Sequence, residues 1–137
     1  MTIREINHVA LHVADVEKSV AFFGEVLGLK RIARPQMNVP GAWFRIGNTQ
    51  QLHLIGGRIQ PVHSAIRGDH FAMEVDDIAA WEVHLRGFGV EGAVWPRPDG
   101  TTSIFVKDPN GHVVELLAWA AQASEEQGEM TGLPAGT

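Results

Sequence analysis

Two stretches decide the fold of this chain, Asn7-His8-Val9-Ala10-Leu11-His12-Val13-Ala14-Asp15-Val16 and Asp69-His70-Phe71-Ala72-Met73-Glu74-Val75-Asp76-Asp77-Ile78. The second repeats the first without a gap, because His8 falls on His70 and Asp15 on Asp77, each 62 positions later (70 − 8 and 77 − 15). A weak repeat with a period of about half the chain indicates two copies of one supersecondary unit.

The same offset continues beyond these stretches. Gln51-Leu52-His53-Leu54 falls on Val113-Val114-Glu115-Leu116, and Asn48 falls on Asn110. We therefore predict one domain over residues 1–118, made of a module at 4–56 and a module at 67–118. Residues 119–137 lack an apolar face and are predicted to form a flexible tail.

Hydrophobic periodicity predicts the order β-α-β-β-β in each module. In the first module Asp15 precedes helical spacing, and the predicted elements are a strand at 4–13, a helix at 16–27 and strands at 29–34, 42–46 and 50–55. In the second, Asp77 begins the helix, and the predicted elements are a strand at 69–75, a helix to about 87 and strands near 90–95, 102–107 and 112–119. The fold class is therefore α+β.

Composition excludes several classes of function. The chain has 137 residues, 16 acidic and 11 basic, and a formal net charge of −5, which argues against binding to nucleic acid. It has no cysteine, so disulfides, thiolate nucleophiles and cysteine–zinc sites are excluded. We find no long apolar run and no signal pattern, so we expect a cytoplasmic protein that does not enter a membrane.

Four side chains of metal-ligand type occupy equivalent places in the repeat. His8 and His53 are 45 residues apart, as are His70 and Glu115 (53 − 8 and 115 − 70), and strand alternation places each opposite in facing to apolar neighbours. Because the helices must cover the apolar face, we expect all four side chains to line the other, concave face. Three imidazoles and one carboxylate suit a divalent zinc, nickel, iron(II), cobalt or manganese ion, with positions left open for substrate.

Further side chains are candidates for contact with substrate. His12 and Glu74 occupy matching positions on the same face as the predicted ligands, and Trp43 and Phe105 are expected to wall an apolar pocket. Trp95-Pro96-Arg97-Pro98 is predicted to be a loop, with Arg97 either solvated or facing an anionic substrate. The remaining histidines are expected at the surface, namely His63, His84 and His112.

These motifs resemble the vicinal oxygen chelate superfamily, which includes glyoxalase I, fosfomycin-modifying transferases, ring-cleaving dioxygenases and bleomycin-binding proteins. The resemblance rests on Ile6-Asn7-His8-Val9-Ala10, Gly68-Asp69-His70-Phe71-Ala72-Met73-Glu74-Val75 and Phe105-Val106-Lys107-Asp108-Pro109-Asn110-Gly111-His112. It implies paired βαβββ modules that form a U-shaped mixed sheet around a metal ion, often in a homodimer.

The resemblance also implies roles for individual residues. His8, His53, His70 and Glu115 match the four family ligands in order, and Glu115 is the ligand that can act as a catalytic base. His12 stands where glyoxalase I often has an arginine that contacts glutathione, so the resemblance leaves open whether glutathione is used.

The implied activity is that of a metal-dependent lyase or isomerase acting on a small carbonyl or hydroxy compound. The alternatives are an iron(II) extradiol-type dioxygenase and a ligand-binding protein like those of bleomycin resistance.

Overall fold

The computed structural model describes residues 1–120. These residues belong to two compact units. The first unit consists of Met1–Ala65 together with Lys107–His112, and the second contains Ile66–Val106 and the residues from Val113 onward. The turn between the last two strands therefore belongs to the first unit, and the rest of the second module forms the second unit.

The first unit contains a four-stranded mixed sheet. Its elements are β1 (His8–His12), α1 (Val16–Ala21), β2 (Lys30–Ile32), β3 (Gly41–Ile46) and β4 (Gln50–Ile55). The strand order is β1-β4-β3-β2, with β1 parallel to β4 and the other pairs antiparallel. Helix α1 packs on β3 and β4, and the core contains Val13, Phe23, Phe44, Leu52 and Leu54.

The second unit repeats this topology. Its elements are β5 (Phe71–Glu74), α2 (Ile78–Gly87), β6 (Ala93–Pro96), β7 (Thr102–Lys107) and β8 (Val113–Ala118). The strand order is β5-β8-β7-β6, and β5 is parallel to β8. The core contains Leu85, Ile104, Val106, Val114 and Leu116. The α+β class and the two predicted βαβββ modules are confirmed.

The two helices begin at equivalent aspartates. The Asp15 carboxylate accepts a hydrogen bond from the Lys18 backbone N–H at 3.2 Å, and the Asp77 carboxylate accepts one from the Ala80 N–H at 3.1 Å. Each side chain satisfies a backbone donor that has no partner inside the helix. The predicted helix starts are therefore confirmed.

The first helix departs from the regular helix predicted over 16–27. After α1 the chain forms a π-helical turn over Phe22–Val26, in which the Leu27 N–H donates to the Phe22 carbonyl at 2.9 Å. Phe22 and Phe23 are both buried, with their rings in edge-to-face contact at 5.0 Å. The extra residue in this turn allows two consecutive aromatic side chains to enter the core.

Strand register reproduces the offset of the sequence repeat. In the parallel pairs, Ala10 lies opposite His53 and Ala72 lies opposite Glu115. Each pair of partners is separated by 43 positions (53 − 10 and 115 − 72). Because Ala10 and Ala72 have small side chains, they leave room on that face of the sheet for the rings of His8 and His70.

The prediction of a loop at Trp95-Pro96-Arg97-Pro98 is wrong for its first two residues. Trp95 and Pro96 end β6 and pair with Ser103 and Thr102 of β7. A proline is accepted here because β6 is the edge strand of its sheet, where one missing N–H donor disrupts no central ladder.

No helix within residues 1–120 has the length and apolar character needed to span a membrane. Most of the predicted tail, residues 121–137, lies outside the described residues. Trp119, at the start of that predicted segment, donates its indole N–H to Glu74 Oε1 at 2.5 Å.

Candidate metal centre

The first unit brings His8 and His53 together. Their rings are stacked with centroids 4.1 Å apart and planes inclined by 15°. The other face of His53 stacks on Trp43 at 3.9 Å. The parallel strands β1 and β4 produce this contact, because the small side chain of Ala10 lies opposite His53 and lets the His8 ring lean across.

Hydrogen bonds assign a tautomer to each of these two rings. His8 Nδ1 lies 2.8 Å from Asn7 Oδ1, and His53 Nε2 lies 2.8 Å from Gln51 Oε1. An amide oxygen only accepts, so each of these nitrogens carries the proton and the other ring nitrogen offers a lone pair. The stacked rings must rotate before both lone pairs can point at one cation.

His53 is held in its neutral form. Burial lowers the pKa of His53, and the neighbouring His8 and the Arg34 guanidinium lower it further by charge repulsion. The neutral imidazole is the form that ligates a metal ion, so this environment removes competition from protons at neutral pH.

The second unit brings His70 and Glu115 together. His70 Nε2 lies 3.0 Å from Glu115 Oε1. His70 Nδ1 lies 3.1 Å from the Gly68 carbonyl oxygen, so Nδ1 donates its proton there. Metal-binding histidines usually donate one ring N–H to a carbonyl or carboxylate in this way. This contact fixes the ring and leaves Nε2 as the ligating nitrogen.

The Glu115 carboxylate is buried and its second oxygen is fully engaged. Glu115 is 4% exposed, and its Oε2 accepts hydrogen bonds from Ser103 Oγ at 2.5 Å and Arg97 Nη2 at 3.3 Å. A buried carboxylate needs such partners because desolvation disfavours its charge. Oε1, on the His70 side, is therefore the oxygen that can ligate a cation or take a proton.

The predicted substrate-contact residues lie beside these two pairs, each in its own unit. His12 Nε2 lies 3.2 Å from the Gly56 carbonyl oxygen, and the Trp43 ring covers His53. In the second unit, the Phe105 ring meets the His70 ring edge-on at 5.5 Å, and Glu74 accepts the Trp119 hydrogen bond. Their roles in binding substrate remain predictions.

The donor set of each pair fits a divalent cation. Imidazole nitrogen and carboxylate oxygen ligate zinc, nickel, iron(II), cobalt and manganese. In the first unit the outer hydrogen bonds leave one nitrogen of each ring available, and in the second unit His70 Nε2 and Glu115 Oε1 contact each other at 3.0 Å and would have to exchange that contact for the cation. Within residues 1–120, no three histidine, cysteine, aspartate or glutamate side chains are grouped closely enough to hold an ion. The assignment of all four residues to one metal ion therefore remains a prediction.

One expectation about polar residues needs correction, and another gains a contact that was not predicted. Arg97 is exposed, in line with the solvated alternative, and it also forms an ion pair with Glu115. His112 is buried and not at the surface, with Nδ1 2.8 Å from Asp108 Oδ2. Strand alternation could not find this pair, since both residues belong to a turn that adds to the first unit.

Two residues that hold the ligand pairs were not among the predicted site residues. Ser103 and Gln51 each contact a candidate ligand, and both lie on strands with side chains on the ligand face. The repeat offers no signal for them, because Ser103 falls on Gly41 and Gln51 on Val113. Alternation on β7 and β4 could have placed them beside the ligands once the strand pairing was known.

Comparisons with known proteins agree with this fold. Residues 5–116 match the model of the Glyoxalase/Bleomycin resistance protein/Dioxygenase superfamily. The chain is 32% identical over 123 residues to a protein of Vibrio parahaemolyticus named "Probable lactoylglutathione lyase", covering 82% of this chain and 88% of the relative. It is 29% identical to "Metallothiol transferase FosB" of Lysinibacillus sphaericus, covering 85% and 83%.

A solved structure is also similar. A glyoxalase family protein from Bacillus anthracis superposes with a TM-score of 0.76 at 30% identity, covering 88% of this chain and 98% of that one. The chain therefore belongs to the Glyoxalase/Bleomycin resistance protein/Dioxygenase superfamily. Members with similar sequences are named for at least two different reactions, a lyase and a thiol transfer.

Proposed function

We propose that this protein is a metal-dependent lyase or isomerase that acts on a small carbonyl or hydroxy compound. The proposed ligands of the divalent metal ion are His8, His53, His70 and Glu115. The observation that carries the proposal is the equivalence of the two ligand pairs. Each pair lies at matching positions of its own sheet, and in each the outer hydrogen bonds orient the two candidate ligands.

Each residue has a separate task in this proposal. His70 is oriented by the Gly68 carbonyl, while Ser103 and Arg97 fix Glu115 through Oε2. Glu115 Oε1 then accepts a proton from one carbon or oxygen of the substrate and returns it to a neighbouring atom. When bound, the metal ion supplies Lewis-acid stabilisation of negative charge that develops on a substrate oxygen.

The burial of Glu115 supports this proton transfer. Trp43 and Phe105 present aromatic rings beside His53 and His70. A proton held by the buried Glu115 carboxylate exchanges slowly with solvent and is returned to the substrate. His12 and Glu74 are proposed to contact the polar part of the substrate.

Two other activities occur in the superfamily. An iron(II) extradiol-type dioxygenase uses two histidines and one glutamate, and a bleomycin-resistance-like binder needs no ligand set. The dioxygenase stays an alternative because the proposed ligands, with a histidine at position 53, include two histidines and one glutamate. The buried and hydrogen-bonded Glu115 favours a catalytic role over simple ligand binding, because burying a charge has a cost that a sequestering pocket does not require.

A metal assay tests the proposal directly. The purified protein is stripped with a chelator, reloaded separately with zinc, nickel and iron(II), and analysed for bound metal and for isomerisation of hydroxy-carbonyl compounds. We expect stoichiometric metal in the wild type and its loss in both His8→Ala and His70→Ala. Full metal retention by either variant would contradict the ligand assignment, while iron with oxygen consumption would identify the dioxygenase.

We propose, by analogy with the superfamily, that the active form is a homodimer. Mixing His8→Ala and His70→Ala subunits shows whether the two ligand pairs come from different chains. If they do, one site in the mixed dimer keeps all four ligands and part of the metal binding returns. If each site draws on a single chain, mixing restores nothing, and sedimentation provides the control for subunit exchange.

A further inference from the structure

An open pocket in the first unit is lined by residues 31–41 together with Val16, Glu17 and Val20 of α1. Its volume is about 820 Å³, enough for a small organic molecule. The segment that connects β2 to β3 supplies most of its wall. None of the predicted ligands or substrate-contact residues lines this pocket.

Arg34 lies on the face of the sheet that carries His53 and Trp43. The β2–β3 register places Ile32 opposite Trp43, so its continuation by two residues places Arg34 opposite Gly41. Gly41 has no side chain, and a Cβ there would lie 2.9 Å from Arg34 Nη2 and 3.0 Å from Cζ. The guanidinium therefore occupies the space that any larger residue at position 41 would fill.

Most N–H donors of the Arg34 guanidinium have no assigned hydrogen-bond acceptor. Of its five N–H donors, the structure assigns one hydrogen bond, from Nη2 to the Val39 carbonyl oxygen at 2.8 Å. Nε is buried and has no hydrogen-bond partner. Among the ion pairs of residues 1–120, none includes Arg34. A buried N–H without a partner is costly, and an anion bound at the partly exposed guanidinium would offset that cost.

Arg34 also lies near the first ligand pair in the sheet. The Trp43 ring that stacks on His53 lies on the strand next to Arg34 in the sheet register. An anion held at Arg34 would therefore lie in the same unit as the histidine pair, although no ligand of that pair lines the pocket.

We infer that this pocket binds the anionic group, a carboxylate or a phosphonate, of a small substrate, and that Arg34 is the residue that recognises it. Arginine suits both groups because its planar fork matches two oxygens with parallel hydrogen bonds. Arg31 adds a second positive charge to the lining and Glu17 a single negative one, so the charge of the wall favours an anion. The inference deepens the proposed function, since it names the substrate class, but it is tested separately.

Three probes with one skeleton test the inference. Glycolate, hydroxymethylphosphonate and glycolamide differ only in whether the group beside the hydroxymethyl carbon is a carboxylate, a phosphonate or a neutral amide. Binding is measured by isothermal titration and by amide chemical shifts of residues 39–41, in metal-free and in zinc-loaded protein. The variants are Arg34→Gln, Arg34→Lys and the control Lys18→Gln, which removes an exposed charge outside the pocket.

We expect both or one of the anions to bind the wild type, and glycolamide to bind far more weakly. Arg34→Gln should raise the dissociation constant of the bound anion roughly 10- to 100-fold, the usual effect of losing a charge-assisted hydrogen bond. Arg34→Lys should have an intermediate effect, since it keeps the charge and loses the fork. Lys18→Gln should stay within about twofold, a change too small to reflect a lost contact.

The comparison of probes distinguishes carboxylate from phosphonate, and either selective result supports the inference. Equal binding to wild type and Arg34→Gln, equal binding of glycolamide, or no binding of either anion would overturn it. Circular dichroism confirms that the variants are folded, and Arg34→Lys provides the test if Arg34→Gln is not. If metal never binds but anions require Arg34 in metal-free protein, the proposed function fails and this inference stands.

Discussion

The two modules share a backbone plan and differ in the chemistry of their ligand pairs. In the first, two imidazoles stack on each other and on Trp43, and their outer partners are the neutral amides of Asn7 and Gln51. In the second, one imidazole faces a buried carboxylate. That carboxylate is also held by a hydroxyl and by a guanidinium.

The two modules therefore keep equivalent positions for their ligand pairs but carry different chemical groups at them. Ala10 and Ala72 occupy the same place in the register, so both copies provide room for a ring to reach its partner. The negative charge, however, lies only in the second pair, and the spare cation Arg34 lies only in the first unit. We therefore expect the second pair to act on protons and the first to contribute to substrate binding.

The largest predicted effect is on zinc affinity, where Glu115→Gln is compared with His53→Gln. Glu115→Gln should weaken zinc binding by more than roughly 100-fold, because even the loss of an outer contact of a metal ligand costs about 10- to 100-fold. His53→Gln should cost about tenfold, since it removes a neutral ligand and leaves the carboxylate. Competition with a fluorescent chelator measures both affinities.

Glu82→Gln is the matched control, because it removes a carboxylate from α2 whose only ion pair, among the described residues, is with Arg86. Its zinc affinity should equal that of the wild type. Equal losses of zinc affinity in Glu115→Gln and His53→Gln would contradict the predicted difference, because the two pairs would then contribute equally to zinc binding.

A smaller effect, on stability, is expected from a substitution in the turn between β7 and β8. The equivalent turn of the first module, at Gly47 and Asn48, is exposed. Asp108 is buried and accepts hydrogen bonds from the backbone of Asn110 and His112, besides its contact with the His112 ring. Asp108→Asn should lower the free energy of unfolding by about 2 kcal/mol at neutral pH, through lost hydrogen bonds to a charged acceptor. Asn48→Ala is the control and should cost far less.

The pH dependence of this effect follows from the Asp108 pKa. Burial by itself would raise that pKa, but the hydrogen bonds and charge of His112, with the Asn110 hydrogen bond, outweigh burial and lower it below the ordinary value of 3.8. A lowered folded-state pKa contributes stability that is present above 3.8 and is lost as the pH falls through the folded value. Urea unfolding at several pH values should therefore show the wild type and Asp108→Asn converging in acid. A constant difference would contradict this account.

The smallest predicted effect concerns the N-caps of the two helices, a feature in which the two modules should not differ. Asp15→Ala and Asp77→Ala should each destabilise by about 1 kcal/mol, because each removes one N-cap hydrogen bond of similar length. Thermal and urea unfolding of the two variants measure the costs. Costs that differ severalfold would show that the helices, and not only the ligand pairs, have diverged.

The sequence predicted which strand face carries the candidate ligands, because strand alternation is local. Alternation placed His8, His53, His70 and Glu115 opposite the apolar residues, and the parallel register then joined the members of each pair, while their binding of one metal ion stays a prediction. The same reasoning failed at His112, whose partner Asp108 lies across a turn, and it did not predict the ion pair between Arg97 and Glu115. Arg34 could not be recognised either, since its significance depends on Gly41 lying opposite it.

The duplicated βαβββ modules, the helix starts at Asp15 and Asp77 and the choice of candidate ligands could all be predicted from the amino-acid sequence. These follow from periodicity and capping, which act over a few residues. The partners that hold Glu115, the ring that covers His53 and the cation that has no ion pair among residues 1–120 became known from the three-dimensional contacts. Such contacts join residues far apart in the chain, where burial sets the cost of an unsatisfied group and no local pattern records it.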